Sequence, residues 1–304
     1  MMMNDHIPMH KVVWGLRHTL SFFTLSSASI CALYAYWPWA GSSVPMSVVG
    51  TALSIYLGFR VSASYDRWWE GRKLWGKLIN YSRIFARQVT TLIEAADQGE
   101  EASAELKRLR EELIKRHIAY VHALRCSLRA EPLKADEDCA LYLSAGELDQ
   151  LSSETNPCNA LIQWQGERLS ELAQRGALNE YRYQQLDMTL AELLNIQGGC
   201  ERILKTPIPP TYTYLPTRLV FVYSLLLSEG LVHYYGWWAI PMSVAVSFLF
   251  RLIDTGGRLL QNPFSTFYYG LPLKAMSRMI EANLCDRIET PARPIPQPID
   301  GVLM

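Results

Sequence analysis

The chain has 304 residues, with 29 Lys plus Arg against 29 Asp plus Glu and a formal net charge of zero at pH 7. That balance excludes recruitment of nucleic acid by a global positive field, and the length allows one or two domains. A mean hydropathy close to zero conceals a strong segregation along the chain.

Residues 1–9 form a short segment expected along a membrane surface. From His18 to Phe59 there is no Asp, Glu, Lys or Arg, and from Leu219 to Phe250 only Glu229 intervenes. A helix needs about 20 apolar residues to cross a hydrocarbon layer of about 30 Å, so each run, with its flanks, is long enough for two crossings. Pro38, Gly41 and Pro45 break the first run, and Tyr234–Trp238 marks the middle of the second, with Trp and Tyr suited to the headgroup level. A cleaved signal peptide has a much shorter apolar region, and paired charge-free runs of this length are rare as core helices of soluble proteins. The pattern predicts four membrane helices in two hairpins. Arg60, Arg67, Arg72, Lys73 and Lys77 follow the second crossing, and Arg202, Lys205 and Arg218 precede the third. By the positive-inside rule both termini and the middle of the chain are cytoplasmic.

Between the runs the helical period dominates, and the second membrane helix is expected to continue into residues 66–88. Residues 103–130 form an amphipathic helix, with Leu106, Leu109, Leu113, Ile114, Ile118 and Val121 at three- and four-residue spacing. Ser144 is an expected N-cap. A further helix over 178–197 is expected to end or break at Gly198 and Gly199. The proline-rich stretch 290–298 is expected to be extended.

Catalytic constellations are not visible, so the chain reads as a non-enzyme without cofactors. Gly71 to Leu78 approaches a phosphate-binding loop, but Leu78 stands where Ser or Thr must hold magnesium. Six scattered cysteines lack metal-ligand spacing and read as free thiols. His117 and His122 lie about 140° apart on a helix and read as solvated or core-satisfied groups rather than ligands. Thr51, Ile55 and Phe59 share one face of the second helix, which also carries Gly50, Ala52, Ser54, Gly58, Ser62, Ala63 and Ser64. Small residues permit close helix approach, and an apolar stripe suits either burial against a neighbour or the wall of a narrow pore.

Leu57-Gly58-Phe59-Arg60, Arg67-Trp68-Trp69-Glu70 and Arg72-Lys73-Leu74-Trp75-Gly76 together resemble the bestrophin family. Thr206-Pro207-Ile208-Pro209, Gly236-Trp237-Trp238, Gln261-Asn262-Pro263-Phe264 and Leu271-Pro272-Leu273 match it in the same order. The resemblance implies an all-α membrane protein, a homopentamer around a central pore walled by the second helix. It assigns residues 1–69 to the first two crossings (pore helix about 41–69), 70–211 to a cytoplasmic helical region, 212–256 to the last two crossings and 257–304 to a C-terminal helix and tail. It implies passive conduction of small monovalent ions, anions favoured, with Thr51, Ile55 and Phe59 as the neck and Arg182 as a cytoplasmic constriction. It also implies structural roles for Gly58, Arg67, Trp68, Gln261, Asn262, Pro263 and Phe264. The segment from Ser265 to Leu271 has no acid, so the calcium clasp of animal members is not expected there. Glu229, inside the third crossing, is read as lying near the outer surface. The implied partners are further copies of the chain, the lipid bilayer and permeant ions, in a bacterial inner membrane. A cation-selective channel of the same fold, a secondary transporter and a membrane scaffold are the alternatives.

Overall fold

The computed structural model describes residues 13–39, 45–94 and 100–298. The segment 1–9 therefore lies outside the described residues. Among those described, every regular element is helical: α1 (Arg17–Tyr36), α2 (Met46–Leu92), α3 (Glu100–Arg129), α4 (Glu137–Ala140), α5 (Ala145–Ser153), α6 (Pro157–Gln174), α7 (Glu180–Lys205), α8 (Pro210–Tyr235), α9 (Ala239–Leu260) and α10 (Leu273–Cys285). Short 3-10 turns occupy Leu133–Ala135 and Gly236–Trp238. The chain divides into two compact units, one holding the described residues up to Trp69 with Pro207–Asn262, the other Glu70–Thr206 with the residues from Pro263 onward. The 47-residue helix α2 contributes to both, without the break that a separate membrane span and cytoplasmic helix would need.

The first unit is apolar on its outside. Leu25, Leu33, Val222, Leu249 and Ile253 are exposed there, and three helical segments (Arg17–Tyr36, Met46–Leu92 and Pro210–Leu260) are long and apolar enough to cross a membrane. The last is two helices, α8 and α9, parted at Gly236, whose φ of +54° favours a residue without Cβ. Inside the unit the contacts are made by small residues, as expected where lipid offers apolar surface as good as a neighbouring helix. A Cβ on Gly257 would lie 3.2 Å from Val61 Cγ2, and the Ser27 and Ser243 hydroxyls hydrogen-bond between α1 and α9 at 2.9 Å. Phe23, Leu53, Leu57, Val220, Tyr223 and Leu227 fill the remaining core. Aromatic side chains gather at both ends: Trp37, Tyr234, Trp237 and Trp238 at one, Trp14, Tyr212 and Tyr214 at the other, all exposed. Tyr214 and Tyr234 are ~30 Å apart along α8 at 1.5 Å per residue, which matches the hydrocarbon thickness.

The second unit has an ordinary core. Trp75, Leu78, Phe85 and Val89 of α2 are buried, as are Leu113, Ile114, Ile118 and Val121 of α3, Leu161 and Leu169 of α6, Leu193 and Ile196 of α7, and Ile280 and Leu284 of α10. The segment from Gly71 to Leu78 is helix interior rather than a phosphate loop. Ser144 caps α5 in a capping box with Glu147. Residues 290–298 carry neither helix nor strand, as their prolines lead one to expect. The expected break at Gly198 and Gly199 does not occur, and α7 runs through both to Lys205. Gly199 is there for close approach: an added Cβ would stand 2.9 Å from Leu74 Cδ2. All six cysteines are free and buried, and burial pushes the Cys126 and Cys139 thiols up to about 12, which removes thiolate reactivity.

Both histidines of α3 are buried core groups, each paired through Nε2 while its Nδ1 has no hydrogen-bond partner. His117 Nε2 pairs with Ser82 Oγ at 2.9 Å, and His122 Nε2 with Glu281 Oε2 at 2.8 Å. Burial pushes His117 down to about 3, against an ordinary value of 6.5. Its neutral form is the folded form, so its contribution is intact above pH 6.5 and is lost as pH falls through the window between those values. Between pH 6.5 and 5 the wild-type protein should lose stability more steeply than His117→Gln, by up to ~1.4 kcal/mol per pH unit. Chemical denaturation at several pH values checks this; identical slopes would show that His117 titrates normally.

Candidate pore wall

Helix α2 starts just after Pro45, which cannot continue a helix backwards, and its first turns have two different faces. Gly50, Leu53, Leu57, Arg60 and Ser64 recur at three- and four-residue spacing and are buried. Thr51, Ile55 and Phe59 recur every four residues on another face and are exposed, Phe59 at 70% and Ile55 at 55%. Steps of four residues set the three side chains ~6 Å apart along the axis. The Thr51 hydroxyl donates back to the Ser47 carbonyl at 2.8 Å, which turns it along the helix while its lone pairs stay open. Gly58 has open space where a Cβ would stand.

The buried face is tied down by charge as well as packing. Arg60, 1% exposed, pairs with Asp254 of α9, which is fully buried. Asp254 Oδ2 also accepts from Thr217 at 2.9 Å and from Arg251 at 2.5 Å. Farther along α2, Arg67 Nε donates to the Gln261 carbonyl at 2.7 Å, beside the near-parallel rings of Tyr65, Trp68 and Trp69. Gln261 and Asn262 follow the end of α9. Pro263 and Phe264 are buried in the second unit, where a Cβ on Gly71 would lie 3.0 Å from Pro263 Cγ. The loop that follows closes on the bond from Leu271 N–H to Pro263 O at 2.7 Å. A Cβ on Gly270 would stand 1.9 Å from the Ser265 carbonyl, so only glycine fits.

Arg182 lies in the first turn of α7, where its N–H donates to the Asn179 cap at 2.9 Å. Its guanidinium pairs with Glu94 at 2.7 Å and donates to the Leu92 carbonyl at 3.3 Å. The hydrogen bond from Arg182 holds the Glu94 carboxyl below its ordinary range, so the two charges compensate. Glu229 is half-buried and accepts from the Trp39 indole at 3.2 Å, one turn from His233, whose Nδ1 meets Tyr34 Oη at 3.0 Å. It therefore sits within the aromatic end of the unit.

Two groups gather metal-type side chains that spacing did not reveal, His122 with Asp136 and Asp138, and Cys126 with Glu131 and Asp136. Their carboxylates are already engaged by arginines: Arg125 pairs with Glu131 and Asp136, while Arg278 and Arg293 pair with Asp138. Sequence reasoning also missed Asp254 and Glu94. An acid within an apolar helix was a usable signal for Asp254; nothing in the local sequence marked Glu94.

The sequence matches the family described as bacterial/fungal bestrophin protein over residues 7–286. It is 35% identical over 251 residues to the voltage-dependent anion channel-forming protein RSc3414 of Ralstonia nicotianae, covering 83% of this chain and 79% of that one. It is 34% identical over 256 residues to the voltage-dependent anion channel-forming protein YneE of Escherichia coli K12, covering 83% and 80%. The fold is similar to a crystal structure of a bacterial bestrophin homolog from Klebsiella pneumoniae, with a TM-score of 0.82, 29% identity and coverage of 90% of this chain and 99% of that one. With a family match over most of its length and relatives above 30% identity, this chain belongs to the bacterial and fungal bestrophin family.

Proposed function

We propose that the protein is a passive channel for small anions, formed by self-association of five copies with α2 lining the axis. The observation that carries this reading is the pair of faces on α2. One is buried within its own chain, while Thr51, Ile55 and Phe59 face outward at a regular rise. Stacked as rings about an axis they make a neck ~12 Å long that excludes water unless widened. The family is one of channels and not of enzymes, and the names of the relatives favour anions. By the distribution of basic residues, the termini and the unit Glu70–Thr206 lie in the cytoplasm of a bacterial cell whose inner membrane α1, α2, α8 and α9 cross four times. Chloride efflux from liposomes holding the purified protein, with potassium carried by an ionophore, tests the reading. Efflux above that of empty liposomes is expected; sealed liposomes with assembled protein would overturn it.

Arg182 is assigned to a second constriction, and its partner Glu94 belongs to the same charge balance. Arg182→Ile leaves a carboxylate unopposed and should lower the chloride-to-sodium permeability ratio. Glu94→Gln frees the guanidinium and should raise it. Reversal potentials measure both; if neither variant moves them, this site lies off the ion path.

A further inference from the structure

Phe59 is 70% exposed in the chain, so packing around its own ring does little to fix where it aims. Successive residues on a helix point 100° apart, so whatever fixes Arg60 also fixes Phe59. Arg60 is held by a carboxylate from a different helix, α9, and α8 supplies a third bond through Thr217. Among the described residues of this unit, Asp254 with its two arginines is the only buried ion-pair cluster. A buried pair of this kind is expensive to desolvate, and well-packed apolar residues of similar size would stabilise the unit as well. Ionisable groups at such depth are therefore expected to serve function rather than stability.

We propose that the Arg60–Asp254 pair is a positioning device that sets the rotation of α2, and with it the aim of the Phe59 ring into the neck. Arg60 and Asp254 are positioning residues and do not touch the permeating ion. The proposal rests on the neck reading above. Because Thr217 and Arg251 share the second carboxylate oxygen, the first is left to Arg60 and the pair has a single orientation.

The test is the iodide-to-chloride permeability ratio of purified protein in planar bilayers, which does not depend on how many channels are active. Arg60→Gln with Asp254→Asn keeps hydrogen-bonding side chains but removes the charges. It should shift the ratio by about threefold, the effect of roughly 0.6 kcal/mol on a relative barrier. Phe59→Ala should shift the ratio too, and adding the pair substitution to it should change nothing further. An unchanged ratio with merely smaller currents would show a structural role only and overturn the proposal. An unchanged ratio in Phe59→Ala itself would sink the neck reading instead. If the paired variant does not assemble, Thr217→Val, which removes one bond to Asp254 and no charge, decides by the same ratio: a smaller shift of the same sign supports the device, and none overturns it.

Discussion

Phe59→Ala should raise chloride flux by about tenfold, which corresponds to roughly 1.4 kcal/mol off the conduction barrier. A ring of phenyl groups resists ions chiefly because water leaves an apolar constriction, and an ion must then shed its shell to pass. Replacing the ring by methyl groups widens and wets the passage. The chain itself should hardly register the change, since a side chain 70% exposed has little packing to lose within its own unit. Leu57→Ala is the matching control. Leu57 lies two residues away, 1% exposed, in the cluster with Phe23 and Val220. Its truncation should cost ~2–5 kcal/mol of stability and leave the neck closed. Flux measured per assembled channel separates the two. If Leu57→Ala opens the channel and Phe59→Ala does not, the faces of α2 have been assigned the wrong way round.

Glu281→Ala should destabilise the second unit by about 3–5 kcal/mol, the range for removing one partner from a buried charged network. The carboxylate is fully buried and accepts from His122 at 2.8 Å, from Tyr142 Oη at 2.9 Å and from the Arg293 N–H at 3.2 Å. Truncation leaves all three donors without that acceptor and releases the segment carrying Arg293 from α10. Glu281→Gln keeps the shape and one acceptor oxygen, so it should cost less than the alanine variant. Burial opposes ionisation of Glu281, but His122, the Arg293 N–H and Tyr142 outweigh it and hold the carboxyl below its ordinary range. Stability from this group is thus present above the unfolded carboxyl value of about 4.5 and lost as pH falls through the lower folded one. Equilibrium denaturation of the two variants and the parent at neutral pH and at pH 4 measures both effects. Equal stability of all three would mean that the network contributes nothing.

Charge-free length was enough to locate the membrane-type helices, because nothing else in a folded chain requires two such runs. Pro38 and Pro45 flank the first break and the Tyr234–Trp238 stretch holds the second, whereas Pro216 lies inside α8 without ending it. Leu178 to Gln197 shows the limit of the same logic. Gly198 and Gly199 look like a stop, yet the helix continues because Gly199 admits Leu74 from a segment far away in sequence. The stripe of Thr51, Ile55 and Phe59 on α2 was legible as spacing, but whether it was buried or exposed was not, since burial depends on where Phe23, Val220 and Tyr223 pack. The polar partners were the least legible part. Arg60 with Asp254, Arg182 with Glu94 and His122 with Glu281 each join helices or segments far apart in sequence, and no local pattern joins them.

Selective passage of anions would set the reversal potential of the purified protein in a planar bilayer under a sodium chloride gradient. A potential close to the chloride equilibrium value is the predicted result. A potential close to the sodium value would contradict the account and make the protein a cation channel of the same fold.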